Sequence, residues 1–240
     1  AHAFADNDKL MKVKTIKTAS GGSEVDLSAQ TEALTITGDA GADIITGGKG
    51  IDTINAGDGT DTITGGAGND IITGGEGVDT IDGAGGDDII TIAAAGKGNT
   101  DVMDGGADAD VLQLSTGAHA FADNDKLKNI ETIKTASGGS EVDLSAQTEA
   151  LTITGDGGVD KITGGEGVDT IDAAAGADII TIAAAGKGNT DVMDGGADAD
   201  VLQLSTGAHA FADNDKLKNI ETIKTASGGS EVDLSAQTEV

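Results

Sequence analysis

The chain of 240 residues carries 42 acidic side chains against 14 basic ones, all of them lysine, for a formal charge of −28. That balance excludes a nucleic-acid-binding surface, which needs a basic patch, and the absence of cysteine excludes a disulfide scaffold and thiol chemistry. With three phenylalanines, no tryptophan or tyrosine, and 39 glycines to order, hydrophobic burial alone is a poor support for a fold, so a further source of stability is expected.

Residues 1–37 are the first of three lysine-bearing parts, the others being 118–154 and 208–240. Together they hold ten of the 14 lysines: Lys9, Lys12, Lys14, Lys17, Lys126, Lys128, Lys134, Lys216, Lys218 and Lys224. The segment AHAFADNDKL opens each part, at Ala1, Ala118 and Ala208. Apolar residues such as Ile130, Ile133, Val142, Leu144, Leu151 and Ile153 are spaced as short strands between polar turns. These parts read as solenoid rungs with irregular loops, with a helical turn expected near Asp123 to Lys128. The lysines are expected to face solvent or a neighbouring acidic surface. His2, His119 and His209 are one position repeated, with no second metal-binding partner near in sequence, and are assigned to the surface or to rung packing. Asp123-Asn124-Asp125 resembles the start of an EF-hand loop, but the later glycine and glutamate are missing, and the motif is rejected.

Residues 38–117 form the first acidic block. Six nine-residue units run from Gly38 to Thr91, with glycine at position four, aspartate at position six and isoleucine at position eight every time. The aspartates are Asp43, Asp52, Asp61, Asp70, Asp79 and Asp88, and the isoleucines Ile45, Ile54, Ile63, Ile72, Ile81 and Ile90. A disordered acidic linker would not keep both residue types in phase over this length. Glycines let the chain turn and leave carbonyl oxygens uncovered, while the residues at positions seven to nine make a short strand pointing one isoleucine inward. Turn and strand make half of a flattened coil, so two units should close one circuit. After Thr91 the pattern loosens: Ile92 to Ala95 reads as an insertion, and GKGNTDVMD and GGADADVLQ then resume with Asp101, Asp108 and Asp110.

The second acidic block, 155–207, carries Asp160, Asp169, Asp178, Asp191, Asp198 and Asp200. Its turn at Ala173 to Ala175 lacks glycine, which makes Asp178 the weakest candidate ligand. Residues 88–149 are identical to 178–239, and the AHAFADNDKL offsets of 117 and 90 differ by 27, three whole units. Only an additive stack tolerates the removal of whole units in this way.

An aspartate beside bare carbonyls gives the all-oxygen, adaptable ligand set that a hard cation such as Ca²⁺ prefers. The carbonyls come from turn residues including Gly41, Gly48, Gly50, Gly59, Gly66, Gly68, Gly75, Gly77, Gly86 and Gly106 in the first block, and Gly158, Gly165, Gly167 and Gly196 in the second. The unit GGxGxDxUx, with U a large aliphatic, resembles the nonapeptide of the RTX family of secreted calcium-binding proteins. The resemblance implies an all-β, right-handed parallel β-roll or β-solenoid, with each ion between a turn and the equivalent turn one coil later, sharing both aspartates. It also implies type I secretion and an extracellular location.

No HExxH, GxSxG or P-loop pattern occurs, so no enzyme is expected. There is no transmembrane run, signal peptide or lipidation motif; the chain begins without methionine and ends inside its third large repeat, and so reads as an excerpt. The leading expectation is a structural protein of the bacterial surface, in an S-layer, fibre or matrix, whose partners are calcium, copies of itself and cell-surface polysaccharide. The alternative is a folding and secretion module of a larger toxin, adhesin or hydrolase. An ice-binding face is less favoured, because Asn55, Ile71, Asp82 and Ile89 interrupt the threonine rows.

Overall fold

The computed structural model describes residues 1–3, 12–92, 100–121, 123–183, 190–211, 215–235 and 237. Every regular element among them is a β-strand. The chain divides into two compact units, Ala1–Leu114 with Asp125–Glu131, and Ser115–Asn124 with Thr132–Val240. The rung sequence 118–154 is therefore shared between them, a division that composition does not mark.

In the first unit successive strands alternate between two parallel sheets. One orders His2–Ala3, Glu24–Asp26, Ile44–Thr46, Thr62–Ala67, Thr80–Gly85, Val102–Asp104 and Leu127–Lys128; the other begins Thr15–Lys17, Thr35–Thr37, Thr53–Gly59, Ile71–Gly77, Ile89–Thr91 and Val111–Gln113. The register is one isoleucine on the next: Ile45 opposite Ile63 opposite Ile81, and Ile54 opposite Ile72 opposite Ile90. Two nonapeptides thus close one coil of a β-solenoid. The expected insertion leaves the register intact, since Ile81 pairs with Met103 and Ile90 with Leu112. Of the insertion itself, only Ile92 lies within the described residues.

Strand alternation decides what is buried. The six position-eight isoleucines are each no more than 2% exposed, and position seven points outward. Each inward isoleucine contributes roughly 1.5–3 kcal/mol by leaving water, a gain repeated coil by coil. The turns stack as tightly as the strands. Gly77 has φ of 140°, and a methyl group on it would lie 1.5 Å from the Gly59 carbonyl oxygen of the coil before. Only glycine fits there without a shift of backbone.

The second unit repeats the plan. One sheet orders Gly117–Ala120, Ser140–Asp143, Lys161–Thr163, Ile179–Ile182, Val201–Leu204 and Thr222–Thr225; another contains Thr132–Lys134, Thr152–Thr154, Thr170–Asp172, Val192–Asp194 and Leu217–Lys218. Gly207–Ala210 pairs with Ser230–Asp233. The lysine-bearing rungs carry their own core of Phe121, Ile133, Val142 and Leu144. His119 and His209 belong to it, buried and set opposite Val142 and Val232, so rung packing is their role.

The helical turn expected near Asp123 to Lys128 does not form. A turn at Asn124 and Asp125 leads into the strand Leu127–Lys128, because Leu127 is buried and stacks in register on Met103. A helix would give up that parallel pairing. Among the described residues no helix is long and apolar enough to cross a membrane.

Candidate metal centre

Position six is the last residue of each turn, and its side chain folds back beneath the turn. Asp43, Asp52, Asp61, Asp70, Asp79, Asp88, Asp101, Asp110, Asp160, Asp169, Asp178, Asp191 and Asp200 are each no more than 5% exposed. One carboxylate oxygen of each joins a ladder. In the first unit Ser23 N–H donates to Asp43 Oδ1 at 2.6 Å, Asp43 to Asp61 at 2.8 Å, Asp61 to Asp79 at 2.9 Å and Asp79 to Asp101 at 2.8 Å. The facing ladder runs from Leu34 N–H through Asp52, Asp70, Asp88 and Asp110 at 2.7–2.8 Å. In the second unit Ser140, Asp160, Asp178 and Asp200 form one ladder, and Leu151, Asp169 and Asp191 the other.

The second oxygen sets two groups of these aspartates apart. On the first coil of each block it is satisfied: Asp43 Oδ2 accepts from Asp39 N–H and the Thr18 hydroxyl, Asp52 Oδ2 from Gly48 N–H, Asp160 Oδ2 from Asp156 N–H and the Thr135 hydroxyl, and Asp169 Oδ2 from Gly165 N–H. Deeper in the stack, Oδ2 of Asp61, Asp70, Asp79, Asp88, Asp110, Asp178 and Asp200 is buried with no hydrogen-bond partner. At Asp70, Asp88, Asp110 and Asp200 it lies near a backbone carbonyl oxygen of the next coil. A methyl group on Gly83 would lie 2.3 Å from both Asp88 Oδ2 and the Gly105 carbonyl oxygen of the next coil, so glycine at 83 keeps this cradle open.

Burial makes these carboxyls hard to ionise. Asp70 is pushed up to about 7 by desolvation, against the pull of its backbone hydrogen bond, with the Asp52 and Asp88 charges adding to the rise. Asp88, Asp178 and Asp191 are pushed to about 6, again chiefly by burial. Burial also raises Asp52, Asp61, Asp79, Asp110, Asp169 and Asp200. A stack of buried, half-satisfied carboxylates needs protons or cations.

The donor set fits Ca²⁺. Among the described residues no three His, Cys, Asp or Glu side chains converge to hold a metal, so an ion must draw on backbone carbonyls beside the ladder carboxylates. Oxygen-only ligation of that kind suits a hard cation. Calcium there would supply the positive charge that the orphaned Oδ2 atoms lack.

Asp108 and Asp198 stand apart. They occupy position four, where glycine is usual, with φ of 83° and 86°, and both are exposed outside the buried ladders. Asp178 is set no differently from its neighbours. Ala174 takes the left-handed conformation with φ of 74°, as Ala84 does with φ of 75° in the first block, and Asp178 keeps the ladder bonds and the orphaned oxygen. Gly41, Gly68, Gly77 and Gly86 at position four, and Gly66, Gly75, Gly106 and Gly196 at position two, have positive φ, whereas Gly48 and Gly165 serve as donors.

Two residues outside the nonapeptide register also enter the ladders. Asp110 N–H donates to Glu131 Oε2 at 2.8 Å, and Asp200 N–H to Glu221 Oε2 at 2.7 Å. The signal was present: Glu131-Thr132-Ile133 repeats the spacing of Asp-Thr-Ile with a longer acid.

The family model for the RTX calcium-binding nonapeptide repeat (4 copies) matches residues 35–54, 55–90, 95–118, 152–180 and 185–208, more than half of the chain. No curated protein matches it.

Proposed function

The chain belongs to the RTX calcium-binding nonapeptide repeat family, and from that premise we propose that it is a secreted structural protein of the bacterial cell surface that folds on calcium and assembles with copies of itself. The observation that carries this reading is the repetition of one calcium-ready unit. Orphaned carboxylate oxygens recur along the ladders, and the 62 residues from 88 to 149 return unchanged at 178–239. A catalytic protein concentrates its chemistry at one place; this one distributes a single chemistry along a stack. The buried histidines serve packing, and no catalytic role is assigned to them.

Secretion suits such a chain. With calcium scarce inside the cell, repulsion among the carboxylates keeps it open, and abundant calcium outside closes it. Lysine-rich rungs alternating with acidic blocks supply complementary charge for contacts between copies, which would form a lattice or fibre.

Sedimentation velocity of the chain in excess chelator and at saturating calcium tests the assembly. Large species that form with calcium and dissolve when chelator is restored are expected. A folded monomer at saturating calcium and high protein concentration would overturn assembly and favour a folding module carried by a larger secreted protein.

A further inference from the structure

The boundary between each acidic block and the rung that follows is built like one more coil of the ladder. Pairing sets Lys128 opposite Asp104, so Asn129 begins the turn that stacks on Gly105–Asp110. That turn has three residues, Asn129, Ile130 and Glu131, where the nonapeptide has six. Asn129 has φ of 48°, a left-handed conformation that asparagine tolerates, and its Nδ2 donates to Asp104 Oδ1 at 2.7 Å. The buried Ile130 fills the space beneath.

This shortened turn preserves the cradle. A methyl group on Gly105 would lie 2.0 Å from the Asn129 carbonyl oxygen and 2.5 Å from Asp110 Oδ2, much as one on Gly83 meets Gly105 and Asp88. Asp110 is fully buried and its Oδ2 has no partner. Glu131 takes the ladder position that an aspartate holds elsewhere, with Oε2 on the Asp110 N–H. The second unit repeats the turn and its contacts, with Ile220 half-buried: Asn219 has φ of 51°, the Gly195 cradle has the Asn219 carbonyl at 2.2 Å and Asp200 Oδ2 at 2.6 Å, and Glu221 accepts from Asp200. Asp200 is 1% exposed, with Oδ2 unpartnered.

We propose that Asp110 with Glu131, and Asp200 with Glu221, form two further calcium sites, each completed by the Asn129 or Asn219 carbonyl. Glu131 and Glu221 lie outside the residues matched by the family model. Here a glutamate on a contracted, glycine-free turn replaces the aspartate of a second nonapeptide. The longer side chain reaches across a turn that has lost half its residues. Each ion ties the last nonapeptide turn to the rung that follows it, so calcium holds the rung as well as the block.

This inference rests on the calcium reading above, and the test separates the two. Bound calcium per chain is counted by elemental analysis after equilibrium dialysis at fixed free calcium, for the wild type, the double variant Glu131→Gln/Glu221→Gln, and Glu131→Asp/Glu221→Asp. Glutamine can still accept the Asp110 and Asp200 N–H bonds, so the ladders persist, and circular dichroism at saturating calcium verifies this. The expected result is two fewer ions in the glutamine variant at the free calcium that just saturates the wild type, with the rest retained, and a smaller loss in the aspartate variant. An unchanged count in the glutamine variant, or loss of the whole complement with β-structure intact, would overturn the proposal. A wild type that binds no calcium would overturn the calcium reading itself, and this inference with it.

Discussion

Asp70 has one oxygen on the Asp52 N–H and the other buried without a partner. A buried carboxylate left so costs several kcal/mol unless it is protonated or meets a cation. Register in the sequence located Asp70 and its equivalents, because one aspartate in nine residues fixes both turn and face. Residue type alone does not set Asp108, an exposed acid at the glycine position, apart from the buried ladder aspartates. Glu131 was obscured for the opposite reason: its turn has neither glycine nor the nine-residue period, so only the short Glu-Thr-Ile match marks it in the sequence, and stacking shows that it continues a ladder. Lost glycines at Ala173 to Ala175 suggested a weak Asp178, yet Ala174 adopts the turn conformation and leaves Asp178 as buried as Asp70. Asp70→Asn and Asp178→Asn should therefore each weaken calcium binding in their own ladder about tenfold, or ~1.4 kcal/mol. Calorimetric titration checks this; a silent Asp178→Asn beside a damaging Asp70→Asn would show that the alanine turn does not bind.

The strand and turn have different tolerances. The strand needs one inward aliphatic and β-branched neighbours, a pattern legible from the isoleucine at position eight. The turn needs backbone room, which sequence suggests through glycine but cannot measure. Gly77 with its φ of 140° abuts the Gly59 carbonyl, whereas Ala84 already holds a left-handed conformation with a side chain in place. Gly77→Ala should destabilise the calcium-loaded protein by more than ~2 kcal/mol, since it adds a clash to the conformational cost. Ala84→Gly should stabilise it by up to ~1 kcal/mol by relieving that cost. Denaturant melts at saturating calcium check both, and equal effects in one direction would contradict the stacking. The helical turn expected at Asp123 to Lys128 failed at this scale too: local polarity suggested a turn of helix, but the pairing of Leu127 with Met103 lies 24 residues away in sequence, beyond any local window.

Each unit as a whole sets repeated isoleucine burial against repeated carboxylate burial. The first is additive and favourable; the second depends on what neutralises the ladders. The folded carboxyls are raised from the ordinary 3.8, to about 6 at Asp88, Asp178 and Asp191 and about 7 at Asp70. A raised folded value means the folded chain holds more protons than the unfolded one. Its support for the calcium-free fold is thus full below pH ~3.8 and lost as pH rises through about 6–7. At neutral pH calcium must take over from protons. Far-UV circular dichroism through a calcium titration, from excess chelator to millimolar calcium at pH 7.5, measures this directly, with a chelator sample at pH 4.5 as its internal reference. The account predicts little β-structure in chelator at pH 7.5, a cooperative gain on adding calcium, and partial recovery at pH 4.5 without it. A full β-spectrum in chelator at pH 7.5, unchanged by calcium, would contradict it.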